Sequence, residues 1–114
     1  MKSYNGFTPK QRLAGDKIIK KAIEDGILMK LSDCKCKFCG QDKGIRHYHC
    51  EDYSPENILN DAIPVCWLCH MMIHSRFKHP KSYVKYFREI KKGKRYSPTY
   101  RGNDWDKLES FFID

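Results

Sequence analysis

Two Cys-x2-Cys pairs, Cys36/Cys39 and Cys66/Cys69, stand with 26 residues between them in a chain of 114. No other feature limits the possible folds as much. Each pair, in Cys36-Lys37-Phe38-Cys39-Gly40 and in Cys66-Trp67-Leu68-Cys69-His70, fits a tight turn that aims two sulfurs at one point. Four thiolates grouped two and two are the donor set of a structural zinc ion. A chain this short buries too little apolar surface for a generous core, so an internal metal would supply stability that burial cannot. The six cysteines are then read as metal ligands in a reducing compartment rather than as disulfides. Cys34, two residues before Cys36, and Cys50 remain alternative sulfurs that could displace one of the four.

Lys and Arg exceed Asp and Glu to give a formal net charge of +8, and four thiolates around a divalent cation would leave about +6. Such a balance favours a polyanionic partner. Met1 to Pro9 lack the charged start and apolar run of a secretory signal. No stretch approaches the ~20 apolar residues of a membrane span, so a cytoplasmic chain without a membrane partner is expected.

Along the chain the expectation is a single α+β domain over 1–114, with an N-terminal helical part (1–33), a metal-bearing core (34–77) and C-terminal helices with a basic link (78–114). Thr8-Pro9-Lys10-Gln11 predicts a capping box with proline at the first helical position, and Leu13, Ile19, Ala22 and Ile23 give a patchy apolar face before Gly26. From Cys34 to about Tyr53 the glycines and the β-formers near Ile45 to Tyr48 predict a knuckle and a short hairpin. Ser54-Pro55-Glu56-Asn57 can start one helical turn, and Cys66 to Phe77 reads as helix. On that helix His70 and His74, four apart, share a face and can share an ion. Pro80 opens another helix, with Tyr83, Phe87 and Ile90 on one side and its end near Lys92-Gly93. Lys91, Lys92, Lys94, Arg95 and Arg101, interleaved with Tyr96 and Tyr100, then form a basic link suited to phosphate pairing and base stacking. Lys10 and Arg12 on the first helix are further candidates for backbone contact. A short helix between Asn103 and Ile113 is expected to close the core.

Cys36-x2-Cys39-Gly40, then Tyr48-His49-Cys50-Glu51-Asp52-Tyr53-Ser54-Pro55, then Val65-Cys66-Trp67-Leu68-Cys69-His70-x3-His74, resembles the HNH, or ββα-metal, nuclease family. It is most similar to zinc-stapled, often phage-encoded members in which His-His-Glu-Asp-Tyr-Ser precedes Trp-Leu-Cys-x2-Cys-His-x3-His. The resemblance covers about 40 of the 114 residues. It implies a β-hairpin and helix gripping one divalent cation, such as Mg2+, Mn2+ or Ni2+, beside a scissile phosphate. It also implies His49, His70 and His74 as ligands of that catalytic cation.

In this resemblance two positions depart from the family pattern. Cys50 occupies the second histidine of the His-His step, where the general base sits. An alternative register makes His49 the base and puts Tyr48 at the metal-ligand position. Asp61 falls on the middle asparagine, whose hairpin-orienting hydrogen bonds a carboxylate can also make. The function expected is metal-dependent phosphodiester hydrolysis of DNA. The alternative is a catalytically inactive, HNH-derived zinc module that binds nucleic acid or a protein partner, for example a phage-encoded inhibitor. His47 and His79 are expected at the surface or against phosphate.

Overall fold

A computed structural model describes residues 1–114 as an α+β chain with one two-stranded antiparallel hairpin and several helices. Helix α1 (Pro9–Glu24) begins at the expected capping box: the Thr8 hydroxyl accepts from the Gln11 amide, and the Gln11 side chain accepts from the Thr8 amide. These two bonds satisfy amide donors that the first helical turn leaves without partners. The buried side of α1 carries Gly15, Ile19 and Ala22. Gly15 lets the helix approach so closely that a Cβ there would lie 2.6 Å from Ile58 and 2.8 Å from Tyr53.

The hairpin pairs β1 (Arg46–His49) with β2 (Ile63–Cys66), placing Arg46 opposite Cys66 and His49 opposite Ile63. This corrects the expectation of a hairpin closed within Cys34 to Tyr53. Residues 50–62 form a long connection that carries a one-turn helix, α2 (Ile58–Asp61), and only then does the chain return as β2. Pro64 lies in β2 opposite Tyr48; a proline is tolerated there because a two-stranded ribbon consists of edges alone.

Helix α3 (Trp67–His74) follows β2 without a break, with the Cys66 sulfur capping it by accepting from the Cys69 amide at 3.4 Å. Its buried residues are Trp67, Leu68, Cys69, Met72 and Ile73. Helix α4 (Pro80–Lys91) buries Ser82, Tyr86 and Ile90 at four-residue intervals, one stripe per turn. Helix α5 (Trp105–Glu109) adds Leu108. Two apolar clusters result. The larger joins Val65, Trp67, Met72, Tyr86, Ile90 and Leu108 around the cysteines, and the smaller joins Tyr4, Ile19, Cys50, Tyr53 and Ile58 under α1. No helix is long and apolar enough to cross a membrane.

The basic link after α4 runs back along the hairpin: Thr99 accepts from the Ile45 amide at 2.8 Å, and Tyr96 accepts from the Gln41 side chain at 3.2 Å. Gly44 permits this, since its φ is +71° and a Cβ there would meet the Thr99 carbonyl oxygen at 2.4 Å.

Candidate metal centres

Cys36, Cys39, Cys66 and Cys69 converge so that their sulfurs all lie within 4.8 Å of one another. The first pair is shaped by a knuckle in which Gly40 donates to Cys36 O and the Cys36 amide donates to Gln41 O, both at 2.9 Å. The Lys37 amide ties the knuckle to Pro64 O of β2 at 2.8 Å. The second pair comes from the capping residue and first turn of α3. A tetrahedral zinc with Zn–S near 2.3 Å needs sulfurs about 3.8 Å apart, and Cys39 and Cys66 stand at 3.7 Å. Hydrogen bonds from the other three sulfurs pull the Cys36 thiol far below its ordinary value, while Cys66 and Cys69 are pushed up by the Cys36 neighbour and by burial. Four anionic sulfurs this close repel one another unless a cation sits among them, so the donor set fits a zinc ion. Tyr86 supports the set from α4, its hydroxyl 3.1 Å from the Cys69 sulfur. Cys34 lies outside it, 3.3 Å from Lys30 O and 3.5 Å from the Tyr48 hydroxyl.

A second cluster lies further along α3. His49 ends β1, His70 and His74 project from α3, and one ring nitrogen of each falls within 4.8 Å of the others. His70 Nε2 and His74 Nε2 are 3.0 Å apart. Burial comes first among the causes that push His70 down to about 2 and His74 to about 4; the neighbouring imidazoles and Arg12 add to it. Both rings are therefore neutral at pH 7, the form that binds a metal. His49 is buried, its Nε2 bonds the Glu51 carboxylate, and its Nδ1 has no partner. A buried ring nitrogen without a partner is costly, and an ion between the three rings would satisfy it.

Several neighbours of this cluster escaped the sequence reading. Glu51 accepts from Arg76 at 2.6 Å, from Asn5 at 2.8 Å and from the Tyr4 hydroxyl. Burial opposes its charge, but the hydrogen bonds from Tyr4, Asn5 and His49 outweigh burial and hold its carboxyl down at about 2. Tyr4 lies over His74, ring centroids 4.7 Å apart. It is carried there by a turn at Asn5-Gly6, where both residues have positive φ (51° and 82°) and Tyr4 and Phe7 exchange both backbone hydrogen bonds. Asn-Gly between two aromatics is a strong two-residue turn signal, so this contact had a legible origin. His47 also belongs here, its Nδ1 being 3.1 Å from His70 Nδ1. It is half-buried, and its contact with His70 adds to the expectation of a surface or phosphate-facing residue a neighbour the sequence did not show.

Cys50 points into neither cluster. Only 2% exposed, it packs with Tyr4, Ile19, Tyr53 and Ile58, and burial first, then Asp61, pushes its thiol up to about 12. A buried protonated thiol in an apolar cluster is no proton acceptor at neutral pH, so the position expected to hold the base serves packing instead. Asp61 turns its carboxylate to the backbone, accepting from the Glu51 amide at 2.6 Å and the Asp52 amide at 2.8 Å. These two bonds fix the chain just after His49.

The basic residues divide between the two sides. Arg12 joins the histidine side, donating to Lys2 O at 2.6 Å and lying over the Tyr4 and Tyr53 rings, while Lys10 is exposed on α1. The link flanks the thiol side, where Tyr96, Pro98 and Thr99 line a small cavity with Cys39 and Cys66. Within it Tyr96 stacks on Tyr86 as part of the core, which removes it as a base-stacking platform. Tyr100 is 70% exposed. Lys91, Lys92, Lys94 and Arg95 are exposed, and Arg101 pairs with Asp104 at 3.4 Å. Compared with protein-family models, with curated proteins and with solved structures, the chain gives no match.

Proposed function

We propose that this chain is a metal-dependent phosphodiester hydrolase of the HNH, or ββα-metal, kind that acts on DNA. In this reading zinc is held by Cys36, Cys39, Cys66 and Cys69, and a second divalent cation by His49, His70 and His74. The observation that carries it is the convergence of three imidazoles, two of them held neutral, one ring nitrogen of each lying within 4.8 Å of the others. Three protein ligands leave room for substrate, as an active centre requires. Bound there, a cation such as Mg2+, Mn2+ or Ni2+ polarises a phosphate oxygen and lowers the pKa of water.

The chain's own residues do the rest. Glu51 holds His49 through Nε2 and leaves Nδ1 as the ring's free lone pair. Asp61 fixes the backbone behind it, and Arg12 and Arg76 add positive charge where a phosphodiester approaches. The exposed Lys10, the Lys91 to Arg95 run and Arg101 supply further phosphate contacts, which set affinity without reading sequence.

The position of Cys50 favours a second reading, the catalytically inactive zinc module that binds nucleic acid or a protein partner, because the usual base position is spent on packing. Plasmid nicking by zinc-loaded protein in Mg2+, Mn2+ or Ni2+ separates the two. Nicking by wild type that is lost in His70→Ala and His74→Ala supports the hydrolase. No nicking in any of the three metals, with DNA affinity unchanged in His70→Ala, rejects the hydrolase for the module.

A further inference from the structure

His47 sits on the same face of β1 as His49, since side chains alternate along a strand and the intervening Tyr48 turns its hydroxyl away to Met29 O at 2.6 Å. It meets His70 ring to ring, centroids 5.1 Å apart and planes at 60°. The two nitrogens in contact are both Nδ1, 3.1 Å apart. On its other side His70 presents Nε2 to His74 Nε2.

Only one arrangement of protons lets His70 act as a ligand in this geometry. Its Nε2 must keep a lone pair toward the ion, so its single proton resides on Nδ1. That N–H needs an acceptor, and the atom in reach is His47 Nδ1. His47 must then carry its own proton on Nε2. We infer that His47 is a positioning residue, which fixes the tautomer and ring orientation of His70 as Glu51 does for His49. The inference rests on the metal-site reading above and deepens it: the site would comprise three ligands, two of them oriented by outer partners from β1 and the turn that follows it. Outer partners of this kind are worth 10- to 100-fold in metal affinity.

Zinc-loaded protein is titrated with Mn2+ while the free ion is followed by electron paramagnetic resonance, in wild type and in His47→Leu, His47→Asn and His70→Ala. His47→Leu is expected to weaken Mn2+ binding 10- to 100-fold. His47→Asn, whose amide oxygen can replace Nδ1 as acceptor, is expected to return to within about threefold of wild type. Wild-type affinity in His47→Leu, with binding lost in His70→Ala, overturns the positioning role and leaves the metal site standing. No binding in wild type overturns the metal site and the inference with it. Wild type also allows a test that needs no variant, long-range 1H–15N spectra of the imidazoles after addition of a second equivalent of Zn2+. His70 protonated at Nδ1 and His47 at Nε2 is the expected pattern, and His70 protonated at Nε2 overturns the inference even where His47→Leu does not fold.

Discussion

Replacing Gly44 by alanine tests how the basic link is held to the hairpin. Three costs follow from the structure. At φ +71° an L side chain costs ~1–2 kcal/mol. The new Cβ would meet Thr99 O at 2.4 Å and Thr99 N at 3.0 Å; both are backbone, so the strand of link must move, at an overpacking cost of ~1–3 kcal/mol. That movement also strains the bond from the Ile45 amide to Thr99 O, worth ~1 kcal/mol. Together these amount to about 4 kcal/mol, or at ~4 °C per kcal/mol a fall of about 15 °C in Tm. Gly93→Ala is the control, because its φ is +104° but no atom lies within 4 Å of the added carbon, so the conformational cost of ~1–2 kcal/mol stands alone. Both variants are unfolded in urea with zinc present throughout, and the midpoints are compared at equal m. If Gly44→Ala loses no more than Gly93→Ala, the packing of the link against Gly44 is not as described.

Titrating the thiols with a mercurial is expected to release one zinc per chain and to abolish the cooperative unfolding transition, because the knuckle and the first turn of α3 lose their common anchor; retention of that transition after release would count against a structural role. Asp61→Ala removes the acceptor of two backbone amides and is expected to cost ~2–4 kcal/mol, with Asp61→Asn about half as much, read from urea midpoints. Acid sensitivity is set partly by His70 and His74, whose folded values of about 2 and about 4 lie below the ordinary 6.5. As the pH falls through 6.5 the unfolded chain takes up protons that the folded chain refuses, so stability is full above that pH and declines below it, down to about 4 for His74 and further for His70. Urea midpoints from pH 7.5 to 5, with one equivalent of zinc per chain and no further divalent ion, check the slope. A His70→Gln/His74→Gln double variant is expected to flatten it, and a midpoint that rises on acidification contradicts the sign.

Local signals gave α1 and α4 almost residue for residue, because capping and proline chemistry act within one turn: Thr8 and Gln11 at one start, Pro80 at the other. The four cysteines and the helix-spaced His70 and His74 were legible for a similar reason, since two-residue and four-residue spacings survive any larger arrangement. The second strand was hidden. Ile63-Pro64-Val65 carries the alternation of a strand, but its proline argues against one, and its partner lies across a connection that no local rule specifies. Cys50 is placed at the base position by the resemblance alone, and no local signal shows that the chain turns there and sends its sulfur under α1. Tyr96 read as exposed because its neighbours are basic; Tyr86 and Phe111, which bury it, are remote in sequence.

Helix α3 carries two of the four thiols and two of the three clustered imidazoles within nine consecutive residues, counting its capping cysteine. Eight helical residues are too few to hold a helix in water unaided, so whatever grips Cys66 and Cys69 also sets the rotation at which His70 and His74 face His49. One residue inserted or deleted between Cys69 and His70 would turn the imidazoles by about 100° relative to the sulfurs. A substitution at half-buried Met71 leaves the spacing intact, but the count from Cys66 to His74 cannot change without dismantling one cluster or the other.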